Sequence, residues 1–142
     1  MTISTASAVW EGGLKTGKGT FSSKSGEFEG DYSFATRFEG KAGTTPEELL
    51  AAAHAACYSM ALSAGLEKAG TPVTQVQTTA SCTLETVGGG PKVSTMKLVV
   101  RAKVPGINQA AFLKAAEAAR DGCPVSGAFK GNVKIELDAK LE

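Results

Sequence analysis

The sequence is 142 residues long, 42% hydrophobic and 20% charged, and fifteen Lys and Arg against fourteen Asp and Glu leave a net charge of +1. That is enough chain for one globular domain, residues 1–142, with a core of its own. No Lys/Arg cluster accompanies aromatic residues, which argues against nucleic acid and anionic membranes as partners and favours a small neutral substrate.

The first residues, Met1-Thr2-Ile3-Ser4-Thr5, lack a basic region followed by an apolar core, so the sequence reads without an export signal and the expected compartment is a reducing cytoplasm. Ala6–Glu11 and Lys18–Ser22 read as two strands of a hairpin, separated by the turn region of Gly12, Gly13 and Gly17. A third strand is expected over Tyr32–Phe38, where Tyr32, Phe34, Thr36 and Phe38 share one face and Arg37 lies on the other.

A long helix follows. Thr45 offers an N-cap oxygen, Pro46 fits the first helical position, and Glu48 stands where a capping box places its acid. Leu49–Leu66 contains no Asp, Glu, Lys or Arg, and its run of alanines predicts a helix buried on every face, closed by Lys68 and Gly70. The run is long enough for a membrane span. Its alanine content, His54, Ser59 and Ser63, and the absence of an aromatic or basic belt argue for a core helix instead.

Val76–Glu85 alternates, with Val76, Ala80, Cys82 and Leu84 on the core face; Gly88-Gly89-Gly90 forms the turn, and Val93–Val104 returns as its partner strand. Asn108 caps a second helix carrying Phe112, Ala115, Ala116 and Ala119 and ending at Gly122. Cys123-Pro124-Val125-Ser126 opens a short third helix, and Val133–Leu137 alternates as the last strand. The class is α+β in the order βββ-α-ββ-α-β, a long central helix packed on antiparallel sheets, without doubly wound alternation. No repeat, Walker, dinucleotide-binding or zinc-finger spacing occurs.

Three cysteines carry the possible chemistry. Cys82 reads as a small buried hydrophobe on its strand face. Cys123, followed directly by Pro124, sits at a helix start where partial positive charge favours a thiolate. Cys57, in the alanine-rich helix, is expected to have a raised pKa unless a cation compensates, which leaves packing and chemistry both open.

A Cys57/His54 nucleophile pair would require a third orienting group and an oxyanion site, and no cysteine-protease signature surrounds Cys57. A zinc site from Cys57, Cys82, Cys123 and His54 lacks paired CxxC spacing. A dithiol peroxidase needs one thiolate to attack peroxide and a second thiol to capture the sulfenic acid, and Cys57 with Cys123 suits that division of labour.

Five ordered blocks, Thr36–Gly40, Thr45–Leu49, Ala52–Cys57, Ser59–Leu62 and Gly122–Ser126, resemble the OsmC/Ohr family of hydroperoxide-reducing proteins. The resemblance is to the OsmC branch, whose arginine lies in the strand just before the helix, as Arg37 is expected to. It implies an intertwined homodimer with sites at the subunit interface, organic hydroperoxides as substrates, no bound cofactor or metal, and an external dithiol reductant such as a lipoyl protein. It further implies Cys57 as the peroxidatic thiol, Cys123 as the resolving thiol, Arg37 as the cation holding Cys57 ionised, and Glu48 as the carboxylate orienting Arg37.

Nine residues separate Glu48 from Cys57, about 14 Å along a helix and half a turn out of phase, so Arg37 or a second subunit would have to join them. His54 reads as a hydrogen-bonded packing residue. The competing functional reading is a non-enzymatic redox sensor or binding module using the same dithiol.

Overall fold

The computed structural model describes residues 1–142, which divide into two compact units, Met1–Leu49 and Leu50–Glu142. The first unit is built on a three-stranded antiparallel meander of β1 (Ala6–Glu11), β2 (Lys18–Ser23) and β3 (Glu29–Tyr32). Gly19 of β2 lies opposite both Trp10 and Tyr32, whose rings stand 5.6 Å apart. A Cβ at Gly19 would fall 2.5 Å from the Tyr32 ring and 2.7 Å from the Trp10 ring, so only glycine lets both aromatics close over the strand.

The expected third strand over Tyr32–Phe38 is corrected. The strand ends at Tyr32, and Phe34–Phe38 forms a short helix, α1. Ser33 and Thr36 make a reciprocal capping box, the Thr36 N–H donating to Ser33 Oγ at 3.2 Å and the Ser33 N–H to Thr36 Oγ1 at 3.0 Å. Phe34 and Phe38, spaced by two strand repeats, are also spaced by four residues, and their rings stack at 4.9 Å across one helical turn. Arg37 therefore projects from a helix, with its guanidinium 5.4 Å from the Phe38 ring centroid.

The central helix, α2, runs Pro46–Lys68, with the Glu48 N–H donating to Thr45 Oγ1 at 3.0 Å and Gly70 at φ +87° after its end. By length and composition it could cross a membrane. It is not buried on every face, as the sequence suggested. Glu47, His54, Tyr58, Leu62 and Leu66 form a buried stripe, while Ala52, Ala53, Ala56, Met60 and Ala64 are exposed. Alanine is apolar but small, so a run of it does not choose a side; the bulky side chains at four-residue steps do.

In the second unit β4 (Gln75–Val87) and β5 (Gly90–Lys103) form a long antiparallel hairpin. Gly88 and Gly89 turn it with φ of +62° and +86°, the positive values a two-residue loop of this hand requires. Then come α3 (Gln109–Gly122), α4 (Pro124–Phe129) and β6 (Lys134–Leu141). β6 pairs with β5 in parallel, where antiparallel pairing throughout was expected. The connection from β5 carries α3 and α4, and a helical crossover returns the chain to the end of the sheet from which β5 started.

Along β5, Met96, Leu98, Val100 and Ala102 are buried and join Tyr58, Leu62 and Leu66 of α2 and Phe112 and Ala116 of α3 in one core. Two polar ties fix α2 over this core: Tyr58 donates to the Ala116 carbonyl at 2.9 Å and Ser59 Oγ to Thr78 Oγ1 at 2.7 Å. Leu62 is fully buried, so Leu62→Ala is expected to cost ~2–5 kcal/mol. Urea unfolding checks it, as a lower midpoint at unchanged slope.

Candidate active site

Cys57 lies mid-way along α2, on the flank of the buried stripe, and is half-buried. Its neighbour Tyr58, anchored to α3, fixes the rotation of the helix at this point. Cys123 is 1% exposed and joins two helices, ending α3 and preceding α4. Its N–H donates to the Ala119 carbonyl at 2.9 Å and its own carbonyl accepts from the Gly127 N–H at 3.0 Å. Held from both sides, it sets its sulfur 3.0 Å from Cys57 Sγ, and the two share a hydrogen bond.

The two sulfurs differ electrostatically. Burial pushes the Cys57 thiol above its ordinary value, and the bond to Cys123 adds to the rise. Burial acts in the same sense on Cys123, but the bond to Cys57, the N–H groups of Ser126 and Val125 and the Ser126 hydroxyl outweigh it and bring Cys123 below its ordinary value. Cys123 makes no regular cap hydrogen bond through its sulfur, and the groups at the start of α4 act on it as partial positive charge. The two sulfurs, 3.0 Å apart, titrate as one coupled pair.

His54 and Ser126 complete the surroundings. His54 is fully buried, one helical turn before Cys57, and its Nε2 lies 2.7 Å from Ser126 Oγ. Its ring edge meets Phe129 at 5.4 Å, and burial lowers its pKa, keeping the imidazole neutral. The expectation of a hydrogen-bonded packing histidine fits this geometry. Ser126 was not singled out from the sequence, although its place three residues after a helix-capping Cys123 is where a side chain reaches back toward the cap.

Arg37 and Glu48 were expected to pair, and the structure joins Arg37 to Glu47 instead. Arg37 Nε and Nη2 donate to Glu47 Oε1 at 2.9 and 2.6 Å. Glu48 is exposed at the third helical position, its backbone N–H taken by Thr45, while Glu47, one residue earlier, is 7% exposed. A one-residue step turns a helical side chain by about 100°, enough to exchange a solvent-facing carboxylate for a buried one. The Arg37–Glu47 pair belongs to the first unit and the dithiol to the second. Cys82 stands half-buried on β4, and no three His, Cys, Asp or Glu side chains converge as a metal site.

Comparison with known proteins places the chain in a family. The family model described as OsmC-like protein matches residues 38–138. The chain is 45% identical to Peroxiredoxin OsmC of Escherichia coli over 134 residues, 94% of each protein. It is 32% identical to the organic hydroperoxide resistance protein OhrB of Bacillus subtilis over 103 residues, 72% of this chain and 74% of that protein. The crystal structure of the same Bacillus protein superposes with a TM-score of 0.77 at 28% identity, covering 96% of this chain and 98% of that one. An organic hydroperoxide resistance protein OsmC from Legionella pneumophila superposes with a TM-score of 0.75 at 25% identity, covering 99% of both. The fold, the cysteine pair on its long helix and helical junction, and a family match over most of the length lead to one assignment: the chain belongs to the OsmC-like family.

Proposed function

We propose that the chain is a cysteine-based peroxidase that reduces organic hydroperoxides to alcohols, and hydrogen peroxide less well, through a cycle of Cys57 sulfenate and a Cys57–Cys123 disulfide. The observation that carries this reading is the 3.0 Å approach of a half-exposed sulfur to a buried one. The accessible Cys57 thiolate attacks the peroxide; an S–O bond forms, the O–O bond breaks, and the alkoxide leaves as alcohol with one proton. Cys123 then attacks the Cys57 sulfenic acid; an S–S bond forms, the S–O bond breaks, and the Cys123 proton leaves with hydroxide as water. An external dithiol, such as a lipoyl protein, takes up the disulfide and restores both thiols.

Arg37 is the cation in this reading, and Glu47 takes the orienting role that the family resemblance gave to Glu48. Both ion-pair bonds use Nε and Nη2 and none uses Nη1, which suits a guanidinium that has a further donor to offer. A homodimer is part of the proposal. It is supported by the exposed Ala52, Ala53, Ala56 and Met60 face of α2, with Met60 75% exposed, a surface of the kind that a second copy would cover. The proposed setting is the cytoplasm, where thiol reductants are at hand.

The test is a steady-state assay with cumene and tert-butyl hydroperoxide against hydrogen peroxide, each under a lipoyl protein and a small dithiol. Repeated turnover with preference for the alkyl peroxides is expected. Consumption of a single equivalent under every dithiol would mark a redox sensor instead. Cys123→Ser is expected to consume about one equivalent per site and then stall with Cys57 as the sulfenic acid; intact mass spectrometry after a peroxide pulse reads this directly.

A further inference from the structure

Beyond the two cysteines, one buried polar contact in the second unit has no role in the cycle as stated. His54 and Ser126 are 0% and 3% exposed and hydrogen-bonded at 2.7 Å across seventy-two residues of sequence. His54 stands three residues before Cys57 on α2, and Ser126 three residues after Cys123 on α4. The contact therefore joins the two elements that carry the sulfurs, one helical turn from each sulfur. We propose that His54 and Ser126 are positioning residues for the resolving thiol, their buried hydrogen bond fastening the first turn of α4 to α2 so that Cys123 stays within bonding reach of Cys57.

The direction of the bond follows from the rest of the ring. His54 Nδ1 is buried with no hydrogen-bond partner. A proton on Nδ1 would be a buried donor without an acceptor, whereas a proton on Nε2 leaves Nδ1 a bare lone pair, the cheaper vacancy. Nε2–H therefore donates to Ser126 Oγ, a hydroxyl that is among the groups lowering the Cys123 pKa. α4 is a single short helix, Pro124–Phe129, whose first residue is a proline without an N–H to give, and Val125 and Phe129 pack against the core beside the His54–Ser126 bond. The Phe129 ring packs on His54 and closes the same contact from the other end of α4.

The proposal rests on the dithiol cycle, and its test separates the two. In the full-length protein, His54→Leu and Ser126→Ala remove the bond, while His54→Gln keeps an N–H donor near the Nε2 position and Ser126→Thr keeps the hydroxyl. After a pulse of one equivalent of cumene hydroperoxide, disulfide formation in His54→Leu and Ser126→Ala is expected to slow by about tenfold or more, with the persisting Cys57 sulfenate trapped by dimedone. His54→Gln and Ser126→Thr are expected to recover most of the rate, which a merely space-filling role would not require.

In a glutathione redox buffer without peroxide, the Cys57–Cys123 disulfide of the first two variants is expected to be about tenfold less stable. Resolution within about twofold of wild type in His54→Leu and Ser126→Ala, or a His54→Gln variant as slow as His54→Leu, would overturn the proposal. A wild-type chain that makes no disulfide with peroxide would strike the peroxidase reading alone, since the glutathione comparison decides the positioning role without it.

Discussion

Replacing Cys57 with serine is expected to lower kcat/KM for alkyl hydroperoxides by at least ~10³-fold, to the level of the uncatalysed reaction. A hydroxyl at this position neither ionises near neutral pH nor forms a sulfenic acid, so both halves of the cycle are lost together. Cys123 is no substitute, although its pKa is the lower of the two. It is 1% exposed at the junction of two helices, where a bulky peroxide has no line of approach. The lower pKa also does not identify the nucleophile. Two sulfurs 3.0 Å apart titrate as a pair, and one proton shifted between them exchanges their roles without moving a heavy atom. Peroxide consumption, with peptide mass mapping of the oxidised sulfur, checks this. A Cys57→Ser chain that oxidises Cys123 at the wild-type rate would reverse the assignment.

The parts of this site that were legible in the sequence are those set by local backbone chemistry. Thr45 and Pro46 start α2, Asn108 starts α3, and Pro124 starts α4, each where its side chain or ring dictates. Those starts fix Cys57 in mid-helix and Cys123 at a helical junction. Phe34 and Phe38 show where pattern alone fails, since a spacing of four serves a strand face and a helix face equally, and the Ser33–Thr36 capping box decides between them.

Long-range facts were not legible in the same way. The choice of Glu47 over Glu48 depends on which side of α2 turns toward Arg37, and two adjacent glutamates look alike in a one-dimensional string. The His54–Ser126 contact spans most of the second unit, and nothing near either residue announces the other. The parallel placement of β6 likewise depends on where the crossover returns, not on its alternation.

Arg37→Met carries the second large effect, and its sign follows from the thiol it is proposed to serve. Burial already raises the Cys57 pKa, so the protonated form dominates near neutrality unless a cation stands by. An opposite charge within hydrogen-bonding range lowers such a pKa by roughly 1–3 units. Its removal is therefore expected to cut the thiolate fraction, and with it kcat/KM at pH 7, by ~10- to 10³-fold. The loss should shrink as pH rises, because above the raised pKa Cys57 ionises without help, and the variant profile climbs where the wild-type profile is already level.

Glu47→Gln is expected to be the milder change, since the guanidinium keeps its charge and loses its 2.6 Å anchor. Introducing Arg37→Met into the Glu47→Gln chain also separates chemistry from folding, because no carboxylate is then left buried without its partner. Stopped-flow oxidation between pH 5 and 9, beside the pH dependence of Cys57 alkylation, measures both. An Arg37→Met chain whose profile superposes on the wild type would remove arginine from the mechanism and leave the α4 dipoles and the shared proton as the only sources of thiolate.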